Sequence, residues 1–455
     1  MLVTESFKCL TYLFNASNNA TQAEGFLRFP LEEKQSVFSY KKVVIMKKTL
    51  AAVAVLGAFA GTALAADVTL YGKIDGGLNY QHVSKDAQDE TTHHVSSSNS
   101  DSFEARSGQN SGSRFGLKGT EQIADGLTVG FQLENGFDSD TGKLGQDGRI
   151  FGREARVYVT TDFGEIAFGR MGGIDAGTGS YDLVGDASVF STGWGSMTGS
   201  MGTYFKGKSD RYDNMITYKS PEFAGLTLVA QASLSRDSSA EDDEGTHLAD
   251  RYYAIGMGAD YGALTGALTF SMQDYGGIAD RATGLAGSDI ADGEYNDSDG
   301  YTVTAYGAYD FGVTKVSLGA QYFDNVAQVR GSVIGDFNDE GKFEWDDVDF
   351  GVTGYGVILG AITPIGSGSL FTSISYADYE ASKLSDKAVK DEAGLEKADY
   401  KVYGVGVGYQ YPLSKRTYVY TAASYTHQTS NAGHTWSKDL DTDTTEVMAG
   451  LVHSF

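Results

Sequence analysis

Apolar and polar residues alternate through most of this chain beyond residue 66. In VTLYGKIDGGLNY (residues 68–80), Val68, Leu70, Ile74, Leu78 and Tyr80 fall on one face of an extended strand, and Thr69, Lys73, Asp75 and Asn79 fall on the other. Leu127, Val129, Phe131 and Leu133 stand in the same way against Thr128, Gln132 and Glu134, and the pattern returns over 402–411 and 447–455. Every such strand has one apolar face and one wet face. A soluble sandwich and a membrane barrel both produce this pattern, so alternation alone does not choose between them.

The connections choose. Short junctions recur at 123–126 (IADG), 162–165 (DFGE), 221–225 (PEFAG), 261–264 (YGAL), 310–313 (DFGV), 364–368 (PIGSG) and 412–416 (PLSKR). Long polar stretches alternate with them, at 81–111, 138–150, 171–210, 235–250, 276–299, 325–349, 380–399 and 430–444. Seven short and eight long connections join sixteen strands, which at roughly 10 residues each use about 160 residues. Short turns at one end and long loops at the other are the layout of an outer-membrane barrel. Lipid offers no partner to an open backbone, so such a sheet closes on itself. Sixteen strands enclose more space than their side chains fill, which leaves an aqueous channel. The sequence therefore predicts an all-β fold, a 16-stranded antiparallel transmembrane β-barrel.

Composition agrees. Gly (59) and Tyr (28) are abundant and Pro (4) is scarce, as long strands with aromatic boundary residues require. Residues 46–65, MKKTLAAVAVLGAFAGTALA, have the basic start, short apolar run and small-residue end of a secretory signal peptide. Residues 1–45 are read as an N-terminal extension from a mis-assigned start, and 66–455 as one barrel domain. The single cysteine, Cys9, precedes the signal, so disulfides are not expected in the exported part. The whole chain carries a net charge of −25, which argues against a nucleic-acid partner and favours a modest cation preference.

Several segments carry a more specific likeness. ADVTLYGKIDGGLNY at 66–80, SRFGLKGTEQIADGLTVGFQLENGF at 113–137, FGREARVYVTTDFGEIAFGR at 151–170, RYDNMITYKSPEFAGL at 211–226 and the ending AGLVHSF resemble, in order, the Gram-negative general porins of the neisserial and burkholderial type. The resemblance implies a homotrimer of barrels in the outer membrane, passing small hydrophilic solutes and ions by diffusion. It implies that the third extracellular loop folds inward, and that Phe455 belongs to the signal read by the outer-membrane assembly machinery. Lipid and lipopolysaccharide are the implied surroundings, and no cofactor is implied.

In a channel, charge and width at the narrowest point set selectivity. Strand parity turns Arg114, Lys118 and Arg156 inward, and the resemblance places Arg153 and Arg170 on the same basic wall. The loop after Arg170 offers Asp175, Asp182 and Asp186 as the facing acidic edge, and the two together would set a transverse field. The alternative is that some of these arginines pair with the loop carboxylates and hold the loop in place.

Two motifs compete for other meanings. GTYFKGKS at 202–209 fits the phosphate-loop pattern, but no hydrophobic strand precedes it and alternation follows where a helix is needed. It is read as a chance match, with Lys206 and Lys208 near the pore entrance. Residues 336–347 approximate a calcium loop without its helices, and are read as an acidic surface loop. His82, His93, His94, His247 and His434 fall in or beside external loops, His427 near a strand's upper end and His453 on the lipid face, so no Ser–His hydrolytic site is expected. A substrate-specific channel, or an added adhesin or phage-receptor role through the loops, are the rival readings.

Overall fold

The computed structural model describes residues 68–89, 95–194, 200–236, 249–275, 299–337, 343–382, 399–431 and 438–455. The strands are β1 (Thr69–Asp89), β2 (Val95–Ser107), β3 (Arg114–Ala124), β4 (Leu127–Gly136), β5 (Glu154–Thr161), β6 (Gly164–Gly172), β7 (Arg211–Lys219), β8 (Leu226–Ser233) and β9 (Arg251–Asp260). They continue as β10 (Leu264–Asp274), β11 (Gly300–Asp310), β12 (Lys315–Phe337), β13 (Phe343–Ile365), β14 (Gly368–Ser382), β15 (Asp399–Pro412), β16 (Thr417–Asn431) and β17 (Lys438–Ser454). Each pairs antiparallel with its neighbours in sequence, except that β2 and β3 both pair with β1 and not with each other. The ring closes where β1 pairs with β17, from Lys73 opposite Ser454 to Asp89 opposite Lys438.

The 17 strands fill sixteen places, because β2 and β3 are two pieces of one. β1 pairs with β2 over Gly76 to Gln88 and with β3 over Thr69 to Lys73. Asp75 holds the break between the pieces: its Oδ2 accepts the Asn110 and Ser111 N–H groups at 2.7 and 2.8 Å, and its Oδ1 accepts the Tyr420 hydroxyl at 2.8 Å. A buried carboxylate thus satisfies amide donors that no ladder reaches.

Burial is inverted relative to a soluble protein. Leu78, Ile255, Leu268, Ile374, Val405 and Leu451 are exposed, while Asn79, Thr217, Thr269, Ser271, Thr304 and Gln321 of the same sheet are buried. The apolar face points outward and the polar face inward, which selects the barrel over the sandwich. The seven short turns fall where the sequence places them, between β3 and β4, β5 and β6, β7 and β8, β9 and β10, β11 and β12, β13 and β14, and β15 and β16.

The long connections differ from expectation. Stretches read as loops at 81–111, 325–349 and 430–444 are partly strand, since β1 runs to Asp89, β2 starts at Val95, β12 runs to Phe337, and β17 starts at Lys438. Once a hairpin leaves lipid its ladder needs no apolar face, so VSSSNSDSFEARS pairs without alternation.

Described residues of the 173–210 connection, between β6 and β7, pack against buried residues of the strands. Among the described residues the three buried apolar clusters all draw on them: Ile174 and Tyr181 with Met215 and Tyr252, Val184, Met201 and Tyr204 with Phe323 and Ile358, and Phe190 and Trp194 with Tyr420 and Met448. Glycines on the wall make room. A Cβ on Gly319 would stand 2.5 Å from the Ala187 carbonyl oxygen, and one on Gly356 would meet that of Tyr204. The motif 202–209 lies in this segment. It contains only the short helix α1 (Met201–Tyr204) and leads into β7, so no phosphate loop forms.

Candidate functional site

Register lays charged residues in rows across β3, β4 and β5. Lys118, Gln132 and Arg156 stand side by side, and Gly116, Glu134 and Glu154 form the next row. Polar residues at period two all face the same way, so one wall collects them.

The five expected basic residues lie on or beside β3, β5 and β6; the four arginines have acceptors there, Arg114 and Arg153 on one carboxylate, and Lys118 sits over a ring. Arg156 is 8% exposed in its side chain. It donates to the Tyr181 hydroxyl at 2.6 Å, Gln132 Oε1 at 3.0 Å and Glu154 Oε2 at 3.1 Å. Arg153 Nε donates to Glu134 Oε1 at 2.6 Å, and Arg114 Nε lies 3.8 Å from the other oxygen of the same carboxylate. Lys118 is exposed and its Nζ sits 5.4 Å over the Tyr71 ring. Arg170 donates to the Gly152 carbonyl at 2.8 Å and to Asp213 at 2.7 Å, a carboxylate that Arg149 also grips.

The three loop aspartates do not stand together. Asp175 is fully buried, and its oxygens accept the Tyr252 hydroxyl at 2.8 Å and the Ser271 hydroxyl at 2.6 Å. Asp182 Oδ1 accepts the Gly177 and Val184 N–H groups at 2.8 and 3.4 Å, within its own loop. Burial first, and the Asp175 charge in addition, push its pKa up to about 7. Asp186 is exposed and accepts from Lys315 Nζ at 2.7 Å.

A cavity of about 570 Å³ opens between the inner wall and residues 173–210. Its cations are Lys73, Arg114, Arg153, Lys208 and Arg211. Lys73 Nζ donates to Ser111 Oγ at 3.3 Å, and Lys208 Nζ to the Ser209 carbonyl at 3.0 Å. Arg211 reaches Thr178 Oγ1 at 3.5 Å and lies 3.7 Å from Asp210. Asp210 lines the cavity with them, and Glu134, Asp75 and Glu154 stand behind the lining, so among the described lining residues five cations face one carboxylate.

Of the expected basic wall, then, Arg114 and Arg153 line the cavity, while Lys118, Arg156 and Arg170 lie outside it. Lys208, placed near the pore entrance from sequence, does line it. Lys73 and Arg211 were missed as site residues, although Lys73 already stood on the wet face of its strand. The wall carboxylates Glu134, Glu154, Glu165 and Asp213 were also missed; for Glu134 the signal was there in its alternation with Leu133.

Elsewhere, Phe455 at the end of β17 exchanges backbone hydrogen bonds with Gly72, at 3.0 and 3.1 Å. The candidate calcium loop at 336–347 lies outside the residues whose side chains are described, as do His93, His94, His247 and His434. His82 and His427 pair with Asp101 and Asp443 at 2.9 and 2.7 Å. His453 is exposed and meets Thr417 at 2.9 Å.

Known proteins match this arrangement. A family model described as "Gram-negative porin" matches residues 51–431. An outer membrane porin protein of Bordetella pertussis is 32% identical over 90% of this chain and all of its own length. The major outer membrane protein P.IB of Neisseria sicca is 27% identical, again over 90% of this chain and its own full length. Among solved structures, the anion-selective porin from Comamonas acidovorans superposes with a TM-score of 0.57 at 22% identity, covering 86% of this chain and all of that one.

Proposed function

The chain belongs to the Gram-negative porin family, and we propose that it carries small hydrophilic solutes passively across the outer membrane, with a preference for anions. It is an outer-membrane channel protein and not an enzyme, as the family is. The observation that carries the transport reading is the inverted burial of a closed barrel, apolar outside and polar within, around an open cavity.

Residues 173–210 are, in this reading, the third extracellular loop folded inward, and they narrow the lumen. Their apolar packing on the inner wall supports this. Arg114 and Arg153, joined by Lys73, Lys208 and Arg211, make its basic side. Asp175, with both oxygens occupied, serves to hold the loop, and Asp182 likewise stiffens it. Asp186, tied to Lys315, is the one predicted carboxylate left at an exposed position.

Net charge suggested cations. The charge lining the cavity supports the opposite sign, because fixed charge at the constriction acts unscreened whereas distant loop charge is screened within about 10 Å. Three barrels form the working unit, residues 46–65 direct export and are removed, residues 1–45 belong to a mis-assigned start, and Phe455 belongs to the assembly signal. Lipopolysaccharide surrounds the outer rim.

Liposome swelling tests the transport reading. Folded protein in liposomes is expected to admit small neutral sugars at rates that fall with sugar size. Liposomes that carry folded protein yet swell no faster than empty ones would reject it.

A further inference from the structure

The cationic cavity also has an aromatic side. Phe371 of β14 and Tyr418 of β16 are half-buried and line it, together with Phe190 and Trp194 of the 173–210 segment. The rings form a set: Trp194 lies 5.5 Å from Phe371 and 5.4 Å from Phe190 between centroids, and the Phe190–Trp194 pair is edge-on. Tyr418 is fixed by donating its hydroxyl to Asn110 Oδ1 at 2.7 Å. Arg114, Arg153 and Lys73 border the same space. The cavity's volume, about 570 Å³, falls in the range of small-molecule sites.

The geometry points to a subsite for aromatic carboxylates in this cavity, with the carboxylate held by Arg114, Arg153 and Lys73 and the ring against Phe371 and Tyr418. The inference rests on the anion-preferring channel proposed above and names a solute class for it. A simple inorganic anion uses the cations and gains nothing from the rings. An aliphatic acid gains apolar contact but no edge-to-face pairing. An aromatic cation meets the rings but is repelled by the charge. Only a flat ring bearing an anion uses both sides at once. The guanidinium fork of arginine also suits a planar carboxylate.

The test is block of chloride current through the folded channel in a planar bilayer, with benzoate, cyclohexanecarboxylate and benzylammonium as probes. Benzoate is expected to reach half-block at a concentration about threefold to tenfold below cyclohexanecarboxylate. Phe371→Leu, which keeps apolar volume and removes the ring, is expected to bring those two values together. If that variant does not fold, the comparison of probes on the unaltered protein decides alone. Equal block by benzoate and cyclohexanecarboxylate, or block by benzylammonium at benzoate's concentration, would overturn the subsite while the channel stands. Absence of chloride current from folded protein would overturn the channel reading, and the subsite with it.

Discussion

Arg153 Nε lies 2.6 Å from Glu134 Oε1, and the other oxygen of that carboxylate is 3.8 Å from Arg114. One acid therefore serves two of the cations that line the cavity. Glu134→Gln removes the acid and leaves both guanidiniums with a neutral acceptor. The zero-current potential under a KCl gradient is expected to move further toward the anionic sign, with the barrel retained. Arg153→Ala has the opposite effect on selectivity and a larger cost in stability. The carboxylate keeps Arg114 and the Tyr71 hydroxyl but loses its shortest partner, which costs about 1–3 kcal/mol and is readable as heat resistance in detergent.

Gly319 and Gly356 leave the space that the 173–210 segment occupies. Gly319→Val puts side-chain atoms where Ala187 sits, with no second position for them on a paired strand. Overpacking of this kind costs about 1–3 kcal/mol. The segment is expected to shift off the wall and single-channel conductance to rise. An unchanged conductance in a folded variant would mean that the segment does not limit the current.

Asp182 gives the structure a pH dependence of known sign. Its folded pKa of about 7 lies above the ordinary carboxylate value, because burial and Asp175 disfavour the charge. An acid raised in this way stabilises the fold when protonated. The contribution is complete below about pH 4, falls as pH rises, and is gone above about pH 7. Asp182→Asn is expected to flatten thermal stability between those limits, by about 1–2 kcal/mol once partial solvent access is counted. A pH profile identical to that of the unaltered protein would contradict this.

Asp75 joins β1, the β2–β3 break and β16 through three hydrogen bonds. Asp75→Ala strands two amide donors and the Tyr420 hydroxyl, at about 1–3 kcal/mol for each that water cannot reach. Thermal unfolding in detergent is expected to show a loss of several kcal/mol, and a change within error would contradict the role.

Much of the fold was legible because lipid enforces it. Leu78 and Tyr80 against Asn79 give the strand, the seven short turns give its neighbours, and closure follows from unpaired backbone in lipid. The extended hairpins were not legible: VSSSNSDSFEARS has no apolar face to betray a strand above the membrane. For the site, parity turned Arg114 and Arg156 to one face, and the structure puts Arg114 on the cavity and Arg156 outside it. Parity could not find that Arg156 would be sealed by Tyr181 and Glu154, because those partners come from the loop and from the next row of the sheet. Asp175 read as an exposed loop acid for the same reason; only the folded loop brings it to Tyr252 and Ser271. Net charge counts loops and lumen alike, so the cation preference read from it finds no support in the charge that lines the cavity.

An outer-membrane channel with a basic lumen is expected to pass chloride more readily than potassium. The zero-current potential of the folded, membrane-inserted protein under a KCl gradient tests it most directly. A potential of the chloride-permeant sign, reduced when Arg114 and Arg153 are both replaced by Gln, is the expected result. A potential of the potassium-permeant sign would contradict the account and return the selectivity to the acidic loops.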